Sequence, residues 1–315
     1  MHYILIIIGF ALLIFGANYL VDGAVGIAKR FKVSDLVIGL TIVAFGTSAP
    51  ELVINLFAAV DPTTTDIALT NIIGSNQINT FLILGATALV LPIKSQASSR
   101  KFDIPLSLAA PLLLLLPAFF RNEVARMDGI LLFVIFVFFM FVTVRKAIKT
   151  KTSHYAKETE NTGKLFKTGI YFIMVFGGLV LLVAGGKIIV NSATAIAESL
   201  GISQAVIGLT IVALGTSLPE LATSVVAAFK KNSDIALGNI IGSNIFNVFL
   251  VLGISATIRP LPTYQNMPVD LSVAALGSLL VLIFVWTNKK YEIKQWEGLL
   301  LLCVYFAYMI WTISS

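Results

Sequence analysis

Residues 42–56 read IVAFGTSAPELVINL, and residues 211–225 read IVALGTSLPELATSV. Each string is apolar at its ends and holds Gly-Thr-Ser, a proline and a glutamate at its centre. A carboxylate directly after a helix breaker inside an apolar run is costly, and here it occurs twice. Any fold of this chain must give both acids something that offsets their charge. The likeness extends beyond the strings: residues 38–60 and 207–229 are identical at 15 of 23 positions, and 66–85 and 234–253 at 15 of 20. A fainter match joins VDGAVGIA (21–28) to VNSATAIA (190–197). Identity is densest at polar residues, which a duplication retained only for apolar contact does not explain.

The surroundings of these strings identify their solvent. The 315-residue chain is 57% hydrophobic and 12% charged, with mean hydropathy +0.94. A soluble domain has about a quarter of its residues charged, so the chain reads as an all-α integral membrane protein. Apolar runs of bilayer length lie near 3–21, 35–60, 67–92, 104–120, 129–148, 168–190, 205–229, 235–257, 270–287 and 297–313, which predicts ten transmembrane helices. Residues 1–20 lack a basic leader and a small-residue cleavage site, so they read as a first span, not a signal peptide. The single Cys303 excludes an intrachain disulfide and a cysteine metal cluster.

Charge sets the expected orientation. Of the 22 Lys and Arg residues, 18 fall in alternate loops, among them Lys29, Arg30, Arg100, Lys101, Lys230 and Lys231. Only Arg121, Arg126 and Arg259 lie in the opposite loops, and Lys187 falls inside the sixth span. The basic loops are therefore expected in the cytoplasm and both termini outside, in the plasma membrane. Basic residues confined to short loops make nucleic acid a poor reading, and no obligate protein partner is evident; the lipid bilayer is the expected surrounding. The polar stretch 149–167 reads as a cytoplasmic linker between a first five-helix repeat, 1–148 (matching region 38–85), and a second, 168–315 (matching region 207–253). Five spans separate corresponding elements. Five is odd, so the second copy crosses the membrane in the opposite sense: an inverted-topology repeat, common in secondary transporters.

Glu51 and Glu220 are the only acids deep within apolar spans, and such acids should face an interior cavity and meet a cation or proton. Pro50 and Pro219 lack an N–H and should free the carbonyls one turn earlier, at Gly46 and Gly215. Thr47, Ser48, Thr216 and Ser217 add hydroxyls. Asn71, Ser75 and Asn79 share one helix face at spacing i, i+4, i+8, and Asn239, Ser243 and Asn247 repeat that stripe. Asn76 and Asn244 read as interhelical hydrogen-bond glue. The set is all oxygen, without Cys or His, which suits Ca²⁺ or Na⁺. Two carboxylates are neutralised by one Ca²⁺ or two Na⁺, the charge balance of an exchanger. No enzymatic chemistry and no cofactor is implied.

The pairs GTSAPE and GTSLPE, each followed by GSNxxN, resemble the two α-repeats of the sodium/calcium exchangers in the cation/calcium exchanger superfamily, prokaryotic type. The resemblance implies a central Ca²⁺ site from Glu51 and Glu220 with backbone oxygens of Thr47 and Thr216. It implies flanking Na⁺ sites from Ser48, Ser75 and the Ala44 carbonyl on one side, and Ser217, Ser243 and the Ala213 carbonyl on the other, with the Thr47 and Thr216 hydroxyls joining them. Asn79 and Asn247 would line the middle, and the first and sixth helices would slide across the other eight. Potassium-dependent relatives carry an acid where this chain has Asn247, which argues against potassium dependence. Thr70 stands where the second repeat has Gly238. The large cytoplasmic insertion of animal exchangers is missing. The leading expectation is Ca²⁺ extrusion driven by entering Na⁺; the alternative is proton-coupled exchange of Ca²⁺ or another divalent cation. A channel fits a chain with its own internal two-fold poorly, and an intramembrane protease would need a water-activating acid pair.

Overall fold

The computed structural model describes residues 2–60, 65–150, 164–201 and 213–314. It is helical apart from four two-residue strands. The helices are α1 (His2–Phe31), α2 (Asp35–Thr47), α3 (Ala49–Val60), α4 (Ala68–Val90), α5 (Ser99–Phe120), α6 (Arg126–Ile148), α7 (Thr168–Ser199), α8 (Ala213–Thr216), α9 (Leu218–Phe229), α10 (Ser233–Ile258), α11 (Met267–Thr287) and α12 (Gln295–Ser314). Among the described residues seven helices are long and apolar enough to cross a membrane, and α2–α3, bent by 49°, makes an eighth if counted as one span. The expected seventh span, 205–229, begins outside the described residues and continues here as α8 and the short α9. The expected linker, 149–167, lies mostly outside them. The last expected span corresponds to α12, whose first turn holds the polar Gln295 and Glu297.

Burial separates a centre from a shell. The apolar window of α10 is 94% buried and that of α4 78%, against 22% for α6. Large apolar side chains on the outer faces, such as Phe57, Phe120 and Ile173, are exposed and suit contact with acyl chains. So α4 and α10 form the core, and their polar stripes face protein.

Small residues determine how closely the helices approach. α1 and α7 run antiparallel: Gly9 meets Gly185, Gly16 meets Gly178 and Gly23 meets Tyr171. A Cβ built on Gly16 would lie 2.8 Å from the Gly178 carbonyl oxygen, and one on Gly178 would lie 2.7 Å from that of Gly16. Only glycine permits such an approach, as in other membrane helix pairs.

Contacts between the two parts of the chain come in exchanged pairs. Gly85 of α4 meets Gly298 of α12, while Gly253 of α10, its counterpart in the matching strings, meets Gly129 of α6. The strands follow the same rule. β1 (Ile93–Lys94) pairs antiparallel with β4 (Glu292–Ile293), and β2 (Glu123–Val124) with β3 (Leu261–Pro262). Each two-stranded sheet takes one strand from residues 1–148 and one from 168–315.

Candidate ion site

The helix carrying each glutamate is interrupted at a serine. Ser48 has φ −84° and ψ 6°, and Ser217 φ −90° and ψ 2°. The chain then restarts as α3 and α9, each with proline as its second residue, where a missing N–H costs nothing. Glu51 and Glu220 follow in the first turn, where the positive end of the helix dipole favours a carboxylate. Sequence alone put the freed carbonyls one turn before the prolines, at Gly46 and Gly215; the structure adds that the helix itself breaks at the serines between. The Ala44 carbonyl accepts the Ser48 N–H (3.0 Å) and the Thr47 hydroxyl (3.4 Å), so it is engaged. Ala213 is the first residue of α8.

Both acids are about 1% exposed. Glu220 Oε1 accepts the Ser48 hydroxyl at 3.2 Å and the Ser243 hydroxyl at 3.4 Å. Glu51 Oε1 accepts the Ser75 hydroxyl at 3.4 Å, and the Ser217 hydroxyl donates to Ser75 Oγ at 3.4 Å. The hydroxyls thus meet crosswise. Ser48 joins Ser243 at Glu220, and Ser217 joins Ser75, whereas the resemblance grouped Ser48 with Ser75 and Ser217 with Ser243. The broken helices project their serines past their own glutamates toward the other part of the chain.

Among the described residues several buried acceptor oxygens have no donor: Glu51 Oε2, Glu220 Oε2, Asn79 Oδ1 and Asn247 Oδ1, and beside them Asn55 Oδ1 and Asn244 Oδ1. Among the described residues neither glutamate forms an ion pair. Unpaired buried anions cost several kcal/mol each by the ~20 kcal/mol idealised scale of ion burial reduced by relaxation. The asparagines are oriented. Asn247 Nδ2 donates to Asn76 Oδ1 (3.1 Å), Asn76 Nδ2 to the Asn244 carbonyl (3.2 Å) and Asn244 Nδ2 to Thr80 Oγ1 (2.8 Å). Asn76 and Asn244 therefore tie α4 to α10, and Asn247, like Asn244, is left with a bare side-chain oxygen. Asn79 and Asn247 both lie in wide π turns, Ile78–Ile83 and Phe246–Leu252, a distortion common at functional positions.

Sequence reasoning passed over Asn55 and Ser224, one turn after each glutamate. Asn55 Nδ2 donates to the Glu51 carbonyl at 2.9 Å. Asn239 Nδ2 donates to Ser224 Oγ at 3.0 Å and to the Glu220 carbonyl at 3.3 Å, while its Oδ1 accepts the Thr47 hydroxyl at 3.0 Å. These bonds hold the glutamate backbones. A polar residue at Glu+4 in both apolar runs was the available signal.

Two grooves flank the acids unequally. One of about 550 Å³ runs between α3 and α7, and its lining includes Pro50, Lys187, Thr216 and Pro219. Its counterpart between α1 and α9, about 560 Å³, is lined by residues such as Phe10, Leu221 and Phe229 and by none of the ion-site residues.

The profile of the family described as "Sodium/calcium exchanger protein" matches residues 1–145 and 170–314. The chain is 34% identical to "Sodium/calcium exchanger MaX1" of Methanosarcina acetivorans, covering 98% of this chain and 97% of that one. It is 34% identical to "Inner membrane protein YrbG" of Escherichia coli over 90% and 88% of the two chains. Among solved structures, the sodium-calcium exchanger NCX_Mj superposes with a TM-score of 0.83 at 30% identity, covering 98% of each chain.

Proposed function

The chain belongs to the sodium/calcium exchanger protein family, a family of multi-pass membrane proteins, and we propose that this member is a secondary-active antiporter that exchanges Na⁺ for Ca²⁺ by alternating access, expelling Ca²⁺ as Na⁺ enters. The observation that carries this reading is the group of buried oxygens without a donor among the described residues, which includes one each from Glu51, Glu220, Asn79 and Asn247. Hard cations of this kind take oxygen ligands, and here the protein supplies acceptors that no donor among the described residues satisfies. Ca²⁺ is the cargo that neutralises both carboxylates at once. Two Na⁺ would balance the same charge, one beside Ser48 and Ser243 at Glu220, the other beside Ser217 and Ser75 at Glu51. Thr47, Thr216 and the Ala44 and Ala213 carbonyls remain candidate ligands for these ions.

The full reading has ten helices in two inverted repeats of five, with both termini outside the cell. Exchanged contacts, Gly85 with Gly298 and Gly253 with Gly129, support it, as does the pairing of strands between halves. For alternating access, the glycine seam lets α1 and α7 move as one body, and the two grooves would open in turn.

The test is flux in proteoliposomes holding the purified protein. An outward Na⁺ gradient should drive Ca²⁺ uptake that a protonophore leaves intact, and Glu51→Gln or Glu220→Gln should abolish it. Uptake indifferent to Na⁺ and collapsed by the protonophore would replace Na⁺ with H⁺ as the coupling ion. Wild-type transport by either glutamine variant would refute the site.

A further inference from the structure

A second polar cavity, of about 260 Å³, lies against a different stripe of α4 from the one that bears Ser75 and Asn79. α11, α12 and the segment before α11 complete its wall. Gln77, Tyr264, Asp270, Tyr305, Tyr308 and Trp311 are among the residues lining it. Asp270 is the one charged side chain in that lining, which holds no Lys, Arg or His. Its carboxylate is fixed: Oδ1 accepts the Tyr308 hydroxyl at 2.6 Å and Oδ2 the Tyr264 hydroxyl at 2.7 Å. Gln77 Nε2 grips the Asp270 carbonyl at 2.8 Å. Burial and the adjacent Asp270 push the Tyr264 phenol far up from its ordinary range, so it stays a donor.

At the corresponding place in the other half, the described residues put phenylalanine rings where this cavity has its wall. There Phe246 stands where Ile78 does, and Phe136 and Phe139 stand where Tyr305 and Tyr308 do, 169 residues on. The Phe136 and Phe246 rings meet edge to face at 4.9 Å, and Phe139 is fully buried. Apolar rings without hydroxyls fill the space. The tyrosine hydroxyls that fix Asp270 therefore do not follow from the repeat, whose matching positions hold phenylalanine.

We propose that this cavity binds an organic ammonium cation. An acid held between aromatic rings offers a cation both charge and ring faces. A bare metal ion wants six or more free oxygens, about the Ca²⁺ complement, whereas each oxygen of Asp270 already accepts a phenol proton. An ammonium coated with carbon needs no such shell and fits among the rings. Because Gln77 adjoins the π turn that holds Asn79, an occupant would bear on α4 next to the ion site.

The experiment titrates tetramethylammonium into the full-length protein in detergent at constant ionic strength and follows heat and tryptophan fluorescence. Saturable binding is expected in the wild type and in Glu51→Gln. Asp270→Asn should weaken it about tenfold or more, the scale of ~1–2 kcal/mol for a desolvated cation–ring site. Ile78→Phe, which copies the filled half and keeps the acid, should weaken it likewise. If one of these two variants aggregates, the other decides. Absence of saturable binding overturns the proposal, as does wild-type affinity in a folded variant. Loss of binding in Glu51→Gln would put the cation in the exchange site instead.

Discussion

Asn247 uses its amide nitrogen on Asn76 and leaves its oxygen bare. This division of labour makes Asn247→Asp informative. The change removes the donor to Asn76 Oδ1 and sets one acceptor against another, at a cost of about 1–3 kcal/mol for an unmet buried group. It also adds a third carboxylate near the first two. The variant should therefore melt below the wild type without divalent cation and gain more from Ca²⁺ than the wild type does. Thermal melts with and without Ca²⁺ measure both effects, and an equal or smaller Ca²⁺ gain would remove Asn247 from the ligand set. At this scale most of the candidate site was legible, because Glu51, Glu220 and the serines are polar where everything nearby is apolar. Their crosswise grouping was not, because order along the chain gives Ser48 to Glu51 as a neighbour and says nothing of which part of the chain its hydroxyl will reach.

At the level of elements, one helix carries its own control. On α7, Gly178 would place a Cβ 2.7 Å from the Gly16 carbonyl oxygen, while a Cβ on the adjacent Gly177 would meet nothing within 4 Å. Gly178→Ala must force α1 and α7 apart and should destabilise by about 1–3 kcal/mol, the usual cost of overfilling a tight contact. Gly177→Ala should be neutral or slightly stabilising, since alanine is the better helix former. Melting both variants in detergent checks the pair, and equal loss in each would argue against the seam. Apolar runs located most of these helices, since bilayer length is a strong constraint. What they could not convey was the break at Ser48 and Ser217 and the π turns, which are set by tertiary contact. The proline rule pointed to the right neighbourhood but did not name the serines at which the helices break.

For the molecule as a whole, the bias of Lys and Arg makes a claim about sides. In a Cys303→Ala background, Glu123→Cys should react with a membrane-impermeant maleimide on intact cells, and Lys231→Cys only after permeabilisation. Both native side chains are exposed at loop ends. The reverse pattern would invert the orientation while leaving the fold intact. The repeat itself was legible from two matching strings, whereas the strands that join its halves are too short to leave a pattern. The crosswise serines have a consequence for descent. Ser48 answers to Glu220, and Ser217 to Ser75, so neither copy of the duplicated segment holds a complete set of interactions of its own. Once these bonds had formed, the two copies could no longer diverge independently: a change at Ser48 calls for compensation some 170 positions away, near Glu220 and Ser243, and lineages that vary at one should vary at the other.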